Sequence, residues 1–371
     1  MKILLIQNLD MGVYLFRKEL IEALIPNNEI YICTPNGQYV SIIKSMGCKY
    51  ILCDFLERKG KNPFTDVKLL YFYYKTIQAI KPDAVLLFTL KPLIYGGLAS
   101  RYAGARYFPN ITGLGTENDF GKLLNSLLNV LMKSAFKKAN CVFFQNSTAQ
   151  KNMVSCGIVN GKNRLLPGSG VNLSKYQFSD YPTIEEGIRF LFVGRVRKDK
   201  GIEEFLYSIR KLHKEYVTIA ADVVGDIEED YKEIMKVVED EGAIIVHGLV
   251  NDVIPFYKKA HCIVLPSYHE GMSNALLEAA AIGRPIIASD IPGCRESFDA
   301  EVSGFGCKER DRESLYFAMK KFVELPFNTM SEMGKAARKK VEREFDRRIV
   351  INAYLEELHN NSLEDVKYDT L

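Results

Sequence analysis

Residues Glu270-Gly-Met-Ser-Asn-Ala-Leu-Leu-Glu278 decide the fold prediction, because they join a turn to a helix between two apolar runs. The run 262–265 predicts a buried strand, and Pro266-Ser-Tyr-His269 predicts a turn. A helix is predicted to start near Ser273-Asn274, and Gly283-Arg-Pro285 ends it. Free backbone N–H groups and the helix dipole point out of such an N-terminus, so the stretch predicts an anion site.

The same alternation of apolar runs and helical segments fills the chain on both sides of this unit. It predicts an α/β fold with doubly wound parallel sheets. The 371 residues are too many for one core. We therefore predict an N-terminal domain over 1–180, a C-terminal domain over 181–345, and a last helix over 346–361 that can pack back on the first domain. In the first half the predicted strands are 2–6, 29–33, 49–53 and 84–88.

A second glycine turn follows the predicted strand 189–193. It reads Gly194-Arg-Val-Arg-Lys-Asp-Lys-Gly201 and leads into a helix. Arg195 offers paired donors and Lys200 a mobile charge, so the turn predicts a cradle for phosphate oxygens. A solvated loop is the alternative, and we expect it for Arg197 and Lys198.

The loop after the first strand, residues 7–12, contains a single glycine, Gly12. It lacks Gly-x-Gly-x-x-Gly, which argues against a dinucleotide-dependent oxidoreductase. Ligands of such sheets bind at the carboxyl ends of strands. There the loop Lys91-Pro-Leu-Ile-Tyr-Gly96 could hold an anion and a sugar ring, or simply carry a solvated lysine beside a packed tyrosine. The glycine-containing loop 110–117 is a further close-approach segment.

Charge is distributed unequally along the chain. Residues 1–180 contain 22 Lys+Arg and 11 Asp+Glu, a net of +11, whereas the remainder contains 27 and 35, a net of −8. The difference is either compositional drift or the mark of an anionic partner of the first half. The apolar, lysine-bearing segment 120–139 fits a helix lying in a membrane interface, with an ordinary packed helix as the alternative.

Several classes of protein are excluded by what the sequence lacks. The eight cysteines have no paired spacing, which indicates a reducing compartment. His247, His261 and His269 have no ligand-like spacing, so we expect no metal site and no cofactor. No signal peptide is evident, and no run is long enough to span a bilayer.

With these motifs in place, the chain resembles the retaining glycosyltransferases of family 4, which have the GT-B fold. Glu270-x7-Glu278 with Gly283-Arg-Pro285 resembles the E-x7-E motif of that family, and Gly194-Arg195 with Lys200-Gly201 resembles its diphosphate loop. In the first half, 16–24, 91–96, 110–115 and 167–172 resemble bacterial enzymes that build capsule, O-antigen or N-glycan precursors on undecaprenyl diphosphate.

The resemblance implies two Rossmann-like domains facing a cleft and roles for individual residues. Arg195, Lys200 and Glu270 would be catalytic. Glu278 would accept hydrogen bonds from the ribose, and Glu270 would contact the sugar. The donor-binding residues would be Gly12, Gly194, Arg195, Lys200, Leu249, Glu270, Gly271, Met272, Ser273, Asn274 and Glu278. The acceptor-binding residues would be Lys91, Tyr95, Asn110 and Thr112.

The sequence departs from the family pattern at two places in the first half. Many relatives have a glycine pair where this chain has Gly12 alone. Many also have a histidine that contacts the donor sugar, in the region that Asn110-Ile-Thr112 occupies here. Both departures bear on the donor contacts expected from the first domain.

We therefore expect a metal-independent, retaining transferase that moves a hexose or N-acetylhexosamine from a nucleotide sugar, a UDP-sugar, to a lipid-linked glycan. Its expected location is the cytoplasm, peripheral at the inner membrane face. Two alternatives stay open, a nucleotide-sugar epimerase of the same fold and a non-catalytic nucleotide-sugar-binding subunit. A nucleic-acid partner is not expected, since basic and aromatic residues interleave only weakly, in 70–80.

Overall fold

The computed structural model describes residues 1–56, 63–112 and 122–359, without the side chains of 122–125. The chain divides into two compact units. The first is Met1–Ser169 together with the chain from Arg348 onward, and the second is Gly170–Arg347. The first boundary precedes residue 180 because Val171 packs in the core of the second unit, where its N–H donates to the Phe345 carbonyl at 2.8 Å.

The first unit is built on a parallel sheet. Its strands are continuous apolar runs, buried on both faces, as expected for a sheet covered by helices on each side. Among the described residues they are β1 (Lys2–Ile6), β2 (Glu29–Thr34), β3 (Lys49–Leu52), β4 (Ala84–Phe88), β5 (Tyr107–Ile111), β6 (Val142–Phe144) and β7 (Asn163–Leu165). Their spatial order is β3-β2-β1-β4-β5-β6-β7, with every recorded pairing parallel.

Two apolar layers cover this sheet. The helices that precede the second unit are α1 (Asp10–Leu24), α2 (Val40–Ser45), α3 (Pro63–Ile80), α4 (Gly97–Ala103), α5 (Lys122–Phe136) and α6 (Ser147–Ser155). Leu4 and Ile6 of β1 face the layer of α3 to α6, whereas Ile3 and Leu5 face the layer of α1 and α2. The alternation follows from the two-residue period of a strand.

The second unit repeats this architecture with a smaller parallel sheet. Among the described residues its strands are β8 (Arg189–Val193), β9 (Ala220–Val224), β10 (Ile244–Gly248), β11 (Cys262–Leu265), β12 (Ile286–Ser289) and β13 (Gly304–Cys307), in the order β10-β9-β8-β11-β12-β13. Its helices are α7 (Ile202–Glu215), α8 (Lys232–Asp240), α9 (Ile254–Lys259), α10 (Asn274–Ile282), α11 (Arg312–Val323) and α12 (Phe327–Glu344). The predicted class, two doubly wound parallel sheets, is confirmed.

The last helix, α13 (Arg347–His359), joins the core of the first unit. Val350, Ala353, Tyr354 and Leu358 are buried there, and the Tyr354 ring lies 4.5 Å from the Phe143 ring of β6 between centroids. The helix was expected over 346–361, and residues 360–361 lie outside the described part of the chain.

Two segments predicted as loops are helical. α1 begins at Asp10, so Gly12 lies inside a helix rather than in a loop. Pro92–Gly96 forms a π-helical turn that continues into α4, so Lys91 and Tyr95 lie at its start and within it. A proline in the first turn suits a helix, since the nitrogen there needs no intrahelical partner. Within the described residues we find no helix with the length and apolarity that crossing a bilayer requires.

Candidate active site

The predicted β-turn-α unit forms at 262–282. Four fully buried apolar residues make β11, and Ser273 precedes α10 in an extended conformation. Gly283 ends the helix in the left-handed region, at φ +91°. The turn between strand and helix therefore opens at the carboxyl edge of the sheet, where parallel α/β sheets bind ligands.

Lys200 and Glu270 meet in this turn. Lys200 Nζ lies 2.6 Å from Glu270 Oε1, and the two side chains are only 16% and 14% exposed. Ser267 Oγ donates to the same Glu270 oxygen at 3.0 Å. The residues predicted to hold the diphosphate and the sugar thus form an ion pair with each other.

The backbone around Gly201 brings Lys200 to this position. Gly201 has φ +70°, and a Cβ on it would lie 2.1 Å from the Pro266 carbonyl oxygen. The Tyr268 N–H also donates to the Asp199 carbonyl at 2.9 Å. The turn 194–201 and the turn after β11 are therefore packed backbone against backbone, which requires glycine at 201.

Arg195 is half-buried and forms no hydrogen bond or ion pair with any residue that the structure describes. Arg197 behaves differently, since it contacts Asp199 and lies 3.6 Å from Glu228. Of these two arginines in one loop, Arg195 is the one with its donors available to a ligand.

The predicted amide cradle at the start of α10 needs one correction. The Ser273 N–H donates to the Gly293 carbonyl at 3.0 Å, so it is already occupied. Gly293 has φ +86°, and a Cβ there would lie 2.5 Å from the Glu270 carbonyl oxygen. The amides of Met272 and Asn274 remain predicted donors to a ligand, and Asn274 Oδ1 is buried without a partner among the described residues.

Glu278 is half-buried between two tyrosines. Tyr257 Oη on α9 donates to Glu278 Oε2 at 3.0 Å, and Tyr176 supplies a second hydrogen bond. Burial raises the pKa of Glu278, while the two tyrosine hydrogen bonds act in the opposite direction. The two tyrosines thus fix the Glu278 carboxylate on α10, one helical turn after Asn274. A carboxylate held in this way suits two neighbouring hydroxyl donors of a ligand.

Leu249, predicted to lie beside the base, follows β10 and is 81% exposed. Two residues earlier, in β10, His247 Nε2 lies 2.7 Å from Asp222 Oδ1, and the His247 ring packs on Phe256. His247 is therefore fixed by structural contacts. An exposed Leu249 at the carboxyl edge leaves apolar surface and backbone groups for a planar ligand.

The glycine at position 12 is explained by packing against Gln7, which the sequence did not indicate. A Cβ at residue 12 would lie 2.0 Å from Gln7 Nε2, so the glycine makes room for the buried Gln7 side chain. Close packing within the first unit explains this glycine without a ligand.

Asp66 organises two of the predicted acceptor residues. Its Oδ1 lies 2.8 Å from Lys91 Nζ, and its Oδ2 accepts from Tyr95 Oη at 2.7 Å. Burial raises the pKa of Tyr95. Just before this cluster Thr89 adopts φ +69°, a conformation that costs a β-branched residue energy and is frequent at functional sites.

The position of Asn110 argues against its predicted role in binding the acceptor. It is fully buried in β5, and its Nδ2 donates to the Tyr354 hydroxyl of α13. Its alternation along the strand turns it toward the last helix, which sequence patterns do not show. Thr112 is half-buried at the end of the described segment, and residues 113–117 of the predicted glycine loop lie outside it.

No group of three or more histidine, cysteine or acidic side chains is placed for metal binding among the described residues. His261 accepts from the Arg189 N–H and lies 3.0 Å from the Thr183 carbonyl, and burial lowers its pKa. Sequence reasoning missed Asp66, Tyr176 and Tyr257, since nothing in their spacing links them to their partners. Pro266-Ser267 was a usable signal for Ser267.

Comparison with known proteins shows what this arrangement is similar to. Residues 176–340 match the family described as Glycosyl transferases group 1, and residues 2–146 match the family described as Glycosyl transferase 4-like. The N,N'-diacetylbacillosaminyl-diphospho-undecaprenol alpha-1,3-N-acetylgalactosaminyltransferase of Campylobacter jejuni is 27% identical over 85% of this chain and 87% of its own length. The capsular polysaccharide biosynthesis glycosyltransferase CapM of Staphylococcus aureus is 24% identical over 53% of this chain and 54% of its own.

Solved structures agree on the fold. HepE of Anabaena, in complex with UDP and glucose, superposes with a TM-score of 0.78 at 16% identity, covering 96% of this chain and 98% of that one. A glycosyltransferase of Rickettsia africae gives 0.76 at 19% identity, covering 97% and 98%. The chain is therefore a glycosyltransferase of the GT-B fold, with a glycosyl transferase 4-like domain in its first unit and a group 1 glycosyl transferase domain in its second.

Proposed function

We propose that this chain transfers a hexose or N-acetylhexosamine from a UDP-sugar to a polyprenyl-diphosphate-linked glycan, with retention of the anomeric configuration. The observation that carries the proposal is the pairing of Lys200 with Glu270 beside an available Arg195. These groups match a donor that has a diphosphate next to a sugar. Residues 181–345 would bind this donor, and residues 1–180 would bind the acceptor.

In this proposal Arg195 and Lys200 bind the diphosphate oxygens, together with the amides of Met272 and Asn274. Binding draws Lys200 from Glu270 toward the phosphate and frees the Glu270 carboxylate for the sugar hydroxyls. As the bond from C1 to the phosphate oxygen breaks, negative charge grows on the leaving diphosphate. Fixed positive charge aimed at that oxygen is the main source of rate enhancement in such a step.

The acceptor hydroxyl forms the new bond to C1 on the face that the diphosphate leaves, and its proton passes to the departing phosphate oxygen. Retention follows from this same-face attack. Glu270 is not assigned as a nucleophile in this proposal, because its carboxylate accepts from Ser267 Oγ at 3.0 Å and from the sugar hydroxyls. Hydrogen bonds from Tyr176 and Tyr257 hold the Glu278 carboxylate in one position, where we propose that it accepts from the ribose hydroxyls.

We propose Lys91, Tyr95 and Thr112 as acceptor-side groups, with Asp66 holding the first two. The Campylobacter relative, which is named for a diphospho-undecaprenol substrate, supports a lipid-linked acceptor. The HepE complex with UDP-glucose supports the nucleotide. A lipid-linked acceptor and a first half with a net charge of +11, from 22 basic and 11 acidic residues in 1–180, support peripheral association with the inner face of the cytoplasmic membrane.

We also propose that no metal ion takes part, since Arg195 and Lys200 can neutralise the diphosphate charge that divalent cations neutralise elsewhere. A panel of nucleotide sugars offered with a short lipid-diphosphate glycan, with products weighed by mass spectrometry, tests the reaction. One UDP-sugar should add one residue, and turnover should persist in excess EDTA. Hydrolysis or epimerisation without transfer would contradict the proposal, and full loss in EDTA would contradict its metal-free part.

A further inference from the structure

The strand β10 contains a bulge at its carboxyl end. Val246 and Gly248 pair with two consecutive residues of β9, so His247 is an extra residue between them. A bulge turns the chain locally and is frequent beside active sites. This bulge therefore sets the direction in which residues 248–250 leave the sheet, and that segment contains Leu249, which is predicted to lie beside the base.

His247 is tied to a buried carboxylate on the neighbouring strand. Asp222 of β9 is 6% exposed, and its Oδ1 lies 2.7 Å from His247 Nε2. Because an ionised carboxylate only accepts hydrogen bonds, Nε2 is the donor. The His247 ring also packs on Phe256 of α9, with 4.6 Å between the ring centroids. The bulged residue is therefore held both by the adjacent strand and by the helix that follows it.

The Asp222 carboxylate has a second charged partner, which lies away from the bulge. Arg189 Nη1 lies 3.3 Å from Asp222 Oδ2. Arg189 begins β8 at the amino edge of the sheet, whereas His247 lies near the end of β10 at the carboxyl edge. Loss of either contact costs the buried carboxylate one partner, but only the His247 contact reaches the edge at which ligands bind.

The bulge also reaches the turn that contains Arg195. The Gly225 N–H, after β9, donates to the Gly248 carbonyl at 2.8 Å. A Cβ on Gly225 would overlap the Gly194 carbonyl oxygen and would lie 3.4 Å from the Arg195 nitrogen, so these backbones are in contact. Backbone contacts thus connect the residue after His247 to the turn that we propose for the diphosphate.

We propose that His247 is a positioning residue for recognition of the nucleotide base. The role rests on the proposed function, because it needs a nucleotide-sugar donor in the second unit. Held by Asp222 and Phe256, His247 fixes the backbone of residues 248–250, and the N–H and C=O groups of that segment select the base by its edge. Fixed backbone groups discriminate between bases because a mismatched edge leaves a buried polar group without its hydrogen bond.

Isothermal titration calorimetry with UDP and with GDP tests this role. His247→Phe keeps a ring against Phe256 but loses the donor to Asp222. We expect UDP binding to weaken about ten-fold, as for loss of one hydrogen bond to a charged group, and GDP binding to weaken less than about two-fold. His247→Gln keeps a side-chain N–H donor, so both affinities should stay within about three-fold of the wild type.

Arg189→Met is the matched control, because it removes the other charged partner of Asp222. Denaturant titrations should show a loss of stability in both Arg189→Met and His247→Phe, whereas the ratio of UDP to GDP affinity should fall only in His247→Phe. A fall of this ratio in both variants would show that any loss at Asp222 disturbs the site, and would overturn the positioning role. An unchanged ratio in a folded His247→Phe would overturn it as well.

Gly248→Ala tests the bulge without a change at His247, and it serves if His247→Phe does not fold. Gly248 has φ +62°, and a Cβ there would meet nothing within 4 Å, so alanine strains the bulge without a clash. We expect the ratio of UDP to GDP affinity to fall at least about three-fold. A normal ratio in this variant would show that the bulge does not set the base preference.

Steady-state rates separate the role of His247 from the proposed reaction. In His247→Phe the donor KM should rise about ten-fold while kcat changes less than about two-fold, as for a group that affects substrate and transition state alike. Absence of transfer with every UDP-sugar would contradict the proposed function, whereas the base preference measured with free nucleotides still tests His247. A wild-type preference for GDP would contradict the UDP donor, and His247→Phe should then lose that preference instead. Equal wild-type affinity for UDP and GDP would overturn base selection by residues 248–250.

Discussion

Lys200 and Glu270, seventy positions apart in sequence, form a 2.6 Å ion pair in the second unit, and both side chains are mostly buried. The pair joins the group proposed for the diphosphate to the group proposed for the sugar. A donor that contains both moieties has to exchange this contact for two new ones. Lys200 and Glu270 therefore lie side by side in the turn where we propose that the diphosphate and the sugar bind.

Glu270→Gln should separate the two roles. Without its carboxylate partner Lys200 is free for the diphosphate, so UDP should bind a few-fold tighter, while turnover of the UDP-sugar should fall at least about a hundred-fold. Lys200→Ala should weaken UDP binding about ten-fold or more. Isothermal titration calorimetry with UDP and initial rates measure the two effects. Equal weakening of UDP binding by both variants would contradict the exchange.

Arg195→Ala should lower kcat by about a hundred- to a thousand-fold, the range for loss of one group that stabilises a developing oxyanion. Arg197→Ala is the matched control, because that arginine already contacts Asp199. It should keep turnover within about three-fold of the wild type, as expected for a surface ion pair worth less than about 1 kcal/mol. Circular dichroism verifies the fold of both. The diphosphate assignment would fail if Arg195→Ala turned over normally.

The raised pKa of Glu278 predicts a pH dependence. Ribose hydroxyls donate best to the ionised carboxylate, so kcat/KM for the donor should fall as the pH drops through this pKa, above the ordinary carboxyl range. Glu278→Gln should flatten that limb. Tyr257→Phe removes a hydrogen bond that lowers the pKa, so the limb should shift to higher pH. A wild-type limb at the ordinary glutamate pKa would contradict the assignment.

The raised pKa of Glu278 also affects the free energy of unfolding. Most carboxylates of folded proteins stabilise the fold as the pH rises, and Glu278 should do the opposite. The folded chain binds the Glu278 proton more tightly than the unfolded chain does. The group therefore lowers the free energy of unfolding as the pH rises through the raised pKa. Denaturant titrations of wild type and Glu278→Gln across this range should converge on the acid side, and parallel curves would contradict the shift.

Asp66→Asn should raise KM for the glycan acceptor while leaving UDP affinity unchanged. The change removes the charge that holds Lys91 at 2.8 Å and weakens the contact to Tyr95. We expect about a ten-fold increase in acceptor KM, from loss of one partly buried charged contact of about 1.5 kcal/mol. Rates at varied acceptor and fixed donor measure it, with Asp83→Asn as a control. An unchanged acceptor KM would remove the cluster from the acceptor site.

Arg284 is a fully buried cation of the second unit. Burial lowers its pKa to about 10, and it donates to the carbonyls of Tyr257, Ser179 and Lys258, among others. Arg284→Met should cost at least about 3 kcal/mol of unfolding free energy, because several buried acceptors lose their donor. The exposed pair of Arg295 with Asp290 is the control, and Arg295→Met should cost less than about 1 kcal/mol by the same denaturant titration. Equal costs would show that the carbonyl contacts contribute little.

Local patterns were sufficient for some of the structure. The continuous apolar runs of β1, β4, β8 and β11 predict buried parallel strands, because a strand covered on both faces needs apolar side chains at every position. Gly283 followed by Pro285 marks the end of α10, since glycine accepts the left-handed conformation there. The strand β13 was missed because Gly304-Phe-Gly-Cys307 has two glycines and lacks the apolar continuity that the other strands show.

The sequence by itself determined the two parallel sheets, the glycine turn that contains Arg195 and Lys200, and the helix start between Glu270 and Glu278. These depend on short-range periodicity, turn chemistry and spacing. Only the tertiary structure decided which side chains meet. It paired Lys200 with Glu270, placed Tyr176 and Tyr257 on Glu278, joined Asp66 to Lys91, and buried Asn110 beneath α13. Each of these contacts joins residues on different elements, and the packing of those elements depends on the whole core rather than on any local run of residues.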